Sequence, residues 1–159
     1  MPQVPQKSEY FKDSEDKTSL TFKYETFLTG GKESGISCQD NLAFAGNGNL
    51  WFTSDISGRI MNSGPYRPFK NNGLVLVPVR GPDKGKVIPV ASAPKDAEFT
   101  GPWFSPDGSS LFLSVQHPGE RSKSLEKLSS NWPGGGNSIP QPAVITLQGP
   151  LLDAVSKMS

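Results

Sequence analysis

Two segments that repeat at a spacing of 60 residues contain the side chains best suited to chemistry. Asp40 and Asn41 come immediately before the first strand of a predicted hairpin, and Glu98 and Thr100 occupy the matching place before a second hairpin. Carboxylate and amide oxygens are suitable ligands for a hard metal cation. The same residues also have structural alternatives, because Asp40 can close an Asx turn and Glu98 can simply be solvated. The pattern therefore leaves a metal site and a local structural role both open.

The reactive side chains Cys38 and His117 are weaker candidates. A metal thiolate usually has companions at short spacing, and Cys38 is the only cysteine of the chain. We therefore expect it to be a small buried apolar residue. His117 is the only histidine, so neither a histidine-rich metal cluster nor a Ser-His-Asp triad can be assembled. We expect His117 and the nearby Glu120 to stabilise a turn.

Both candidate segments lead into sequences typical of β-hairpins. Strands are predicted over 41–45 and 50–54, joined by Gly46-Asn47-Gly48, and over 102–105 and 111–115, joined by Pro106-Asp107-Gly108. Proline presets the first central angle of its turn, and Asn-Gly and Asp-Gly tolerate the angles that close a tight turn. Phe44 and Phe104 lie 60 positions apart. This recurrence indicates a repeated structural unit.

Each hairpin lies between two further predicted strands. These strands cover 20–28 and 73–79 around the first hairpin, and 86–91 and 143–147 around the second. Four-stranded units of this kind are typical of propeller blades. Because propellers close with about four to eight blades, we predict an all-β fold that is an incomplete β-propeller of about two four-stranded blades.

The predicted domain organisation follows from these units. The two blades occupy about 20–80 and 86–148, residues 1–19 are interpreted as a polar tail or loop, and 149–159 as a C-terminal tail. Three tryptophans are expected to pack between blades rather than to stack on a ligand. They are Trp51, Trp103 and Trp132.

The composition excludes several classes of function. The 159 residues include 17 Gly and 15 Pro, which favour many turns and short strands. A formal net charge of +1 gives no electrostatic footprint for nucleic acid, and no apolar run is long enough to span a membrane. Residues 1–19 lack the apolar core of a secretory signal. The chain therefore either stays inside the cell or lacks the beginning of a longer precursor.

An ordered set of motifs resembles the C-terminal part of the PhoX-type alkaline phosphatases. The motifs, in the family's order, are Cys38-Gln-Asp-Asn-Leu-Ala-Phe44, Gly48-Asn-Leu-Trp51, Asn72-Gly-Leu74, Gly81-Pro82, Glu98-Phe-Thr-Gly-Pro102, Phe104-Ser-Pro-Asp-Gly108, Leu111-Phe112, Gln116-His-Pro-Gly-Glu120 and Trp132-Pro133. A Ser-Pro-Asp-Gly turn alone is common in propellers, but the ordered set is fairly specific. The sequence departs from the family pattern at Gln39, where the family usually has proline.

The resemblance implies a six-bladed propeller that holds calcium and iron ions in its central channel. Such enzymes hydrolyse phosphate monoesters outside the cytoplasm, after export in folded form. The resemblance implies metal-ligand roles for Asp40, Asn41 and Glu98, because acidic residues must point into the channel to bind calcium. Only about two blades are present, so we expect the thiolate that binds iron, the export signal and most other ligands to lie upstream.

Two functions therefore remain open. In the first, the chain is the C-terminal part of a calcium- and iron-dependent phosphomonoesterase and is inactive on its own. In the alternative, it is a non-catalytic propeller piece that acts as a binding or assembly module. The expected partners are a phosphate monoester, where the ring is completed, and either missing N-terminal blades or further copies of the chain. Three copies of two blades could close a six-bladed ring.

Overall fold

The computed structural model describes residues 7–12, 18 and 23–158, which form mainly antiparallel β-sheets. Within them the strands are β1 (Lys7–Lys12), β2 (Lys23–Thr29), β3 (Gln39–Phe44), β4 (Leu50–Ser54), β5 (Gly73–Val77), β6 (Ile88–Ser92), β7 (Glu98–Phe104), β8 (Ser110–Gln116) and β9 (Ala143–Gln148). A 3₁₀ helix spans Gly64–Phe69, and a short α-helix, α1 (Pro150–Ser156), follows β9. No helix in this part of the chain is long and apolar enough to cross a membrane.

The described strands form three sheets that follow the order of the chain. β1 and β2 form a two-stranded sheet of their own. Of the two larger sheets, we call the one with the order β3-β4-β5-β6 the first sheet and the one with the order β7-β8-β9 the second sheet. Neighbouring strands are antiparallel throughout, and the hairpins predicted over 41–54 and 102–115 are confirmed. These sheets do not close into a ring. The predicted all-β fold, an incomplete propeller, is therefore confirmed.

Side-chain acceptors fix the turns of both hairpins. Asp107 accepts hydrogen bonds from the Ser105 hydroxyl at 2.6 Å and from the backbone N–H of Ser109 at 3.1 Å. These bonds hold the pKa of Asp107 at about 2. In the β3–β4 turn, Oδ1 of Asn47 accepts a hydrogen bond from the backbone N–H of Asn49 at 3.0 Å. The turn residues that predicted the hairpins therefore form their bonds locally.

The predicted sheet membership of two strands is wrong. The strand expected over 20–28, present as β2, pairs with β1 instead of joining the first hairpin's sheet. The strand expected over 86–91 is present as β6, but it pairs with β5 and completes the first sheet instead of opening the second unit. The cause is the short turn that follows β5, in which the N–H of Gly85 donates to the carbonyl of Pro78 at 2.8 Å. This turn reverses the chain at once, so the boundary between the two sheets falls between β6 and β7.

Both ends of the described chain contain more regular structure than expected. Part of the segment 1–19 forms β1, which pairs with β2, and the strand predicted over 20–28 corresponds to β2, with 20–22 outside the described residues. The segment 149–159 contains α1, whose Leu152 is only 3% exposed and packs into the core. Nδ2 of Asn49 also donates to the carbonyl of Met158. An apolar contact and a buried amide therefore hold this segment against the sheets.

The main core lies between the first and second sheets. Its buried side chains come from both sheets and from α1: Ala45, Trp51, Leu74, Leu76, Ala93, Ala97, Phe99, Leu111, Leu113, Val115 and Leu152. The Trp51 ring meets the Phe104 ring edge to face, with centroids 5.4 Å apart. Full burial of a large apolar side chain contributes about 1.5–3 kcal/mol. Apolar packing therefore holds the two sheets together.

The opposite face of the first sheet has a core of its own. Its buried residues, Ile36, Leu50, Phe52, Val75 and Val77, pack against partly buried side chains that include Phe27 and Leu28 of β2. Successive residues of a strand point to opposite faces, and β4 and β5 are buried along almost their whole length. The two central strands of the first sheet are therefore covered on both faces.

The three tryptophans have different environments. Trp51 is fully buried between the sheets, as predicted, and the half-buried Trp132 packs against the same core. The prediction for Trp103 is wrong, because its side chain is 73% exposed. It lies on the outer face of the second sheet, because the register of β7 shifts between Thr100 and Trp103 and turns the Trp103 side chain to the face opposite Phe99.

Asn72 joins three segments at one end of the sheets. Its side chain is buried, its Oδ1 accepts a hydrogen bond from the N–H of Ile56 at 2.6 Å, and its Nδ2 donates to the carbonyls of Ile56 and Ala97, each at 3.3 Å. Buried backbone groups without partners are costly. Asn72 therefore fixes the segment after β4 and the segment before β7 to the start of β5.

Asn72→Ala is expected to lower the free energy of unfolding by about 2–3 kcal/mol, because it leaves buried backbone groups of Ile56 and Ala97 unpaired. The matched control is Asn71→Ala, since the half-buried Asn71 makes a long bond of 3.5 Å to the carbonyl of Ala93. Its expected cost is below about 1 kcal/mol. Urea unfolding followed by tryptophan fluorescence measures both, and equal losses in the two variants would contradict the role of Asn72.

Candidate functional site

Antiparallel pairing brings the candidate residues to one end of the two sheets. In the first hairpin Gln39 pairs with Ser54, so Asp40 and Asp55 lie at the same end. In the second hairpin Glu98 pairs with Gln116, so the segment 117–120 lies beside Glu98. The hairpin turns are at the opposite end. Strand starts from both sheets therefore meet in one place.

A hydrogen bond between neighbouring sheets aligns these strand starts. Oδ1 of Asn41 accepts a hydrogen bond from the backbone N–H of Gly101 at 2.7 Å, which joins β3 to β7. Nδ2 of the same side chain donates to Oδ2 of Asp40 at 2.9 Å. Asn41 therefore sets the register of the two strands and also orients the Asp40 carboxylate. In the described residues Asp40 forms this side-chain bond instead of the bond of an Asx turn.

Four carboxyl groups, Asp40, Asp55, Glu98 and Glu120, form what we call the acidic cluster. The pKa of Glu98 is raised to about 7, first by burial, then by a hydrogen bond with the Asp55 side chain and by the charges of Asp55, Asp40 and Glu120. Two carboxyl groups share a hydrogen bond only while one of them carries a proton. The cluster therefore holds a proton near neutral pH.

One oxygen of Glu98 is an acceptor without a partner. Oε2 of Glu98 is buried and forms no hydrogen bond within the described part of the chain. A buried acceptor in this state usually costs stability unless a donor or a cation reaches it. The alternative in which Glu98 is simply solvated therefore does not describe this side chain.

A pocket of about 240 Å³ opens beside the acidic cluster. Its polar lining comes from the strand ends and from the segments that follow them: Asp55, Ser57, Asn72, Asp96, Glu98, His117 and Glu120. Asp96 is only 9% exposed and has a positive φ of 53°. Gly58 lies so close to Glu120 that a Cβ at this position would overlap the Glu120 carboxylate. The Glu120 side chain therefore packs directly against the backbone of Gly58.

The other sequence-predicted residues play local structural roles. The Cys38 carbonyl accepts a hydrogen bond from the N–H of Asp55 at 2.8 Å, and its Sγ lies 3.5 Å from the hydroxyl of Ser37. Thr100 is buried and accepts a hydrogen bond from Nε2 of Gln116 at 2.9 Å. The exposed His117 accepts the N–H of Glu120 at its carbonyl, which closes the predicted turn. Cys38 is half-buried rather than fully buried.

The described residues suit calcium in chemistry but do not complete a metal site. No group of three or more His, Cys, Asp or Glu among them is arranged to hold a metal ion. Calcium takes about six to eight oxygen ligands, and the acidic cluster with Asn41 supplies only part of such a set. The described residues form no iron site either, because Cys38 belongs to no group of His, Cys, Asp or Glu side chains arranged to hold a metal ion.

The acidic cluster includes a residue that the sequence analysis missed. Asp55 was absent from the candidates, although it directly follows β4 and therefore lies at the same end as the start of β3. The register of the hairpin contains this signal, since the first residue of one strand faces the last residue of the other. The sequence contains no comparable signal for Asp96, because the burial of its side chain depends on the packing between the two sheets.

Glu98→Gln is expected to stabilise the fold above neutral pH. The folded-state pKa of Glu98 is raised from 4.5 to about 7. The stability that the folded state gains from a protonated Glu98 is therefore fully present below the unfolded-state pKa and is lost as pH rises through about 7. Solvent screening reduces the effect to about 1 kcal/mol, or about 2–4 °C in Tm. Circular dichroism melts between pH 5 and 8 would measure the difference between variant and parent, which grows with pH.

The exposed Glu126 provides the control for this pH series. Glu126→Gln removes a carboxylate whose pKa is lowered by a hydrogen bond from Ser124, so its effect on Tm stays constant over the same pH range. A constant difference for Glu98→Gln as well would contradict the raised pKa of Glu98.

Comparison with known proteins identifies the family of the chain. The family model for the alkaline phosphatase PhoX matches residues 5–119. The solved structure of Pseudomonas fluorescens PhoX in complex with vanadate, a transition-state analogue, is similar with 26% sequence identity and a TM-score of 0.72. That match covers 88% of this chain and 26% of the solved chain. This chain therefore spans about a quarter of the length of the solved PhoX chain. Among curated proteins no significant match is found.

These comparisons confirm the resemblance that the ordered motifs indicated. The family model covers more than half of the residues, including both hairpins and three of the four members of the acidic cluster, Asp40, Asp55 and Glu98. The chain therefore belongs to the PhoX alkaline phosphatase family.

Proposed function

We propose that this chain forms part of a calcium- and iron-dependent phosphomonoesterase, to which it contributes calcium ligands. The observation that carries the proposal is the acidic cluster. Asp40 and Glu98, at the strand starts of two adjacent sheets, lie at the same end as Asp55 and Glu120, which follow strand ends, and Oε2 of Glu98 is buried without a hydrogen bond in the described residues. Carboxyl groups gathered without a neutralising cation repel one another. A bound divalent ion would remove that repulsion.

Asp40, Asn41 and Glu98 are the proposed ligands. The Asp40 carboxylate is oriented by Nδ2 of Asn41, and the buried oxygen of Glu98 lacks any other partner in the described residues. When bound, the cations would neutralise phosphoryl oxygens of a phosphate monoester. The role of this chain's own residues is to hold the ligand oxygens at the strand starts and to keep β3 and β7 in register.

The chain by itself is proposed to be inactive. It spans about a quarter of the solved PhoX chain, its described residues contain no group of three acidic, histidine or cysteine ligands arranged for a metal, and it has a single cysteine. Further ligands for calcium and the thiolate for iron would have to come from additional blades. An exported location follows only from the family and is part of the same proposal.

The alternative is a non-catalytic propeller piece that acts as a binding or assembly module. The incomplete ligand set favours it. The two functions differ in one measurable property, because only the first requires affinity for calcium at the acidic cluster.

Calcium binding to the purified chain, measured by calorimetry, is expected to be weak and to depend on the proposed ligands. Asp40→Asn and Glu98→Gln are each expected to weaken it about tenfold, since each removes one charged oxygen ligand. Glu126→Gln, an exposed carboxylate outside the pocket, is the control and should leave the affinity unchanged. Equal affinity in all three variants would exclude the acidic cluster as the calcium site.

Hydrolysis of p-nitrophenyl phosphate by the same samples tests inactivity. With calcium and iron added, no turnover above the metal-only blank is expected. Turnover that is lost in Asp40→Asn would show that the chain is active on its own and would overturn this part of the proposal. Absence of both turnover and calcium binding would favour the assembly module.

A further inference from the structure

Asn72 lies between the two segments that bring Asp55 and Glu98 together. Asp55 directly follows β4 of the first sheet, Glu98 begins β7 of the second sheet, and their side chains share a hydrogen bond. Because β4 and β7 belong to different sheets, strand pairing does not set the distance between these two residues. Asn72 precedes β5 and lines the same pocket as both carboxyl groups. Its side chain is therefore placed to act on both segments.

The Asn72 amide binds the backbone next to each of the two carboxyl residues. Its Oδ1 accepts the N–H of Ile56 at 2.6 Å and its Nδ2 donates to the Ile56 carbonyl at 3.3 Å, so both backbone groups of the residue after Asp55 are held. Nδ2 also donates to the carbonyl of Ala97, the residue before Glu98, at 3.3 Å. Since Ile56 and Ala97 are buried, water does not replace these bonds when they are lost.

The three bonds match the hydrogen-bonding groups of an asparagine side chain. A side-chain amide has an acceptor oxygen and two N–H donors, and Asn72 uses the oxygen for a backbone N–H and the nitrogen for two carbonyls. An ionised aspartate of the same shape accepts hydrogen bonds but does not donate them. It could hold the N–H that follows Asp55 but not the carbonyl that precedes Glu98.

Asn72 is itself held in place. Its side chain is only 2% exposed, and its carbonyl accepts a hydrogen bond from the N–H of Ala93 at 2.8 Å. The N–H of the following Gly73 donates to the hydroxyl of Ser54 at 3.0 Å. A side chain positions other residues accurately only when packing and hydrogen bonds fix its own conformation. Asn72 meets this condition.

We infer that Asn72 is a positioning residue, whose amide holds the Glu98 carboxyl group against Asp55. It acts through the backbone of the adjacent residues, Ile56 and Ala97. The position of Glu98 relative to Asp55 is a property of the metal-free chain. That Asn72 thereby also sets the position of a calcium ligand rests on the proposed function.

Proton NMR tests the position of Glu98 without any metal. In the parent chain a nuclear Overhauser effect is expected between the β-protons of Asp55 and the γ-protons of Glu98, because the two carboxyl groups share a hydrogen bond. In Asn72→Ala this effect is expected to weaken about threefold or more, since loss of a supporting contact loosens a site by about 1 Å and the effect falls with the sixth power of distance. The matched control is Asn71→Ala, whose half-buried side chain makes only a long bond of 3.5 Å, and it should keep the parent intensity.

The cross-strand effects within each sheet separate positioning from stability. A folded variant of lower stability keeps its strand pairing, so the effects between β4 and β5 and between β7 and β8 should be unchanged in Asn72→Ala. An Asp55–Glu98 effect that also keeps its parent intensity in this variant would overturn the inference. Its absence from the parent chain would overturn it as well.

Asn72→Asp covers the case in which Asn72→Ala does not fold. It keeps the shape of the side chain and an acceptor for the N–H of Ile56, but in its ionised form it has no donor for the carbonyl of Ala97. The Asp55–Glu98 effect is therefore expected to weaken, while the amide of Ile56 stays protected from hydrogen exchange. An undiminished Asp55–Glu98 effect in this variant would count against the positioning role in the same way.

Calcium titration by calorimetry distinguishes failure of this inference from failure of the proposed function. Asn72→Ala is expected to weaken calcium binding about tenfold, since loss of a contact that orients a metal ligand typically lowers affinity about 10–100-fold. Asn71→Ala should bind like the parent. Equal affinity of the parent and Asn72→Ala would overturn the positioning of a ligand by Asn72. If the parent chain binds no calcium, the proposed function fails, and the NMR comparison still decides whether Asn72 positions Glu98.

Discussion

The apolar contact between the first and second sheets is the interaction on which the site depends. It places Trp51 and Leu76 of one sheet against Leu113 of the other, and each such fully buried side chain contributes about 1.5–3 kcal/mol. The hydrogen bond from Gly101 to Asn41 contributes only about 1 kcal/mol by comparison. Packing therefore holds the sheets together, and the hydrogen bond selects the register in which the start of β3 lies beside the start of β7.

The acidic cluster is a consequence of that packing and opposes it. Glu98 loses solvent on burial, faces three other carboxyl groups and leaves one oxygen without a partner. None of these features stabilises the fold, and the described ion pair between Lys86 and Asp83 lies in a different turn. A fold that places like charges together, and whose apolar core contributes enough stability to offset their repulsion, is typical of a functional site.

Local structure could be predicted from the sequence, whereas neighbours in space could not. Asn47 and Asp107 form the bonds that their turn types require, so both hairpins followed from the sequence alone. The sheet to which β6 belongs depends on how sharply the chain turns after β5, and the exposure of Trp103 depends on what covers the second sheet. Asp55 could have been found from hairpin register. Burial of Asp96 could not, because it requires the packed arrangement of both sheets.

If the acidic cluster binds calcium as proposed, its geometry also explains why a single pair of sheets does not hold a complete metal centre. Each inner strand brings only its first few residues to the meeting point: Asp40 and Asn41 from β3, and Glu98 from β7. Calcium requires about six to eight oxygen ligands, more than two strand starts can place around one ion. Additional inner strands, converging on the same point, are the simplest source of the remaining oxygens. In a propeller, metal binding therefore belongs to the ring, and each sheet contributes a share of the ligands together with the packing that positions them.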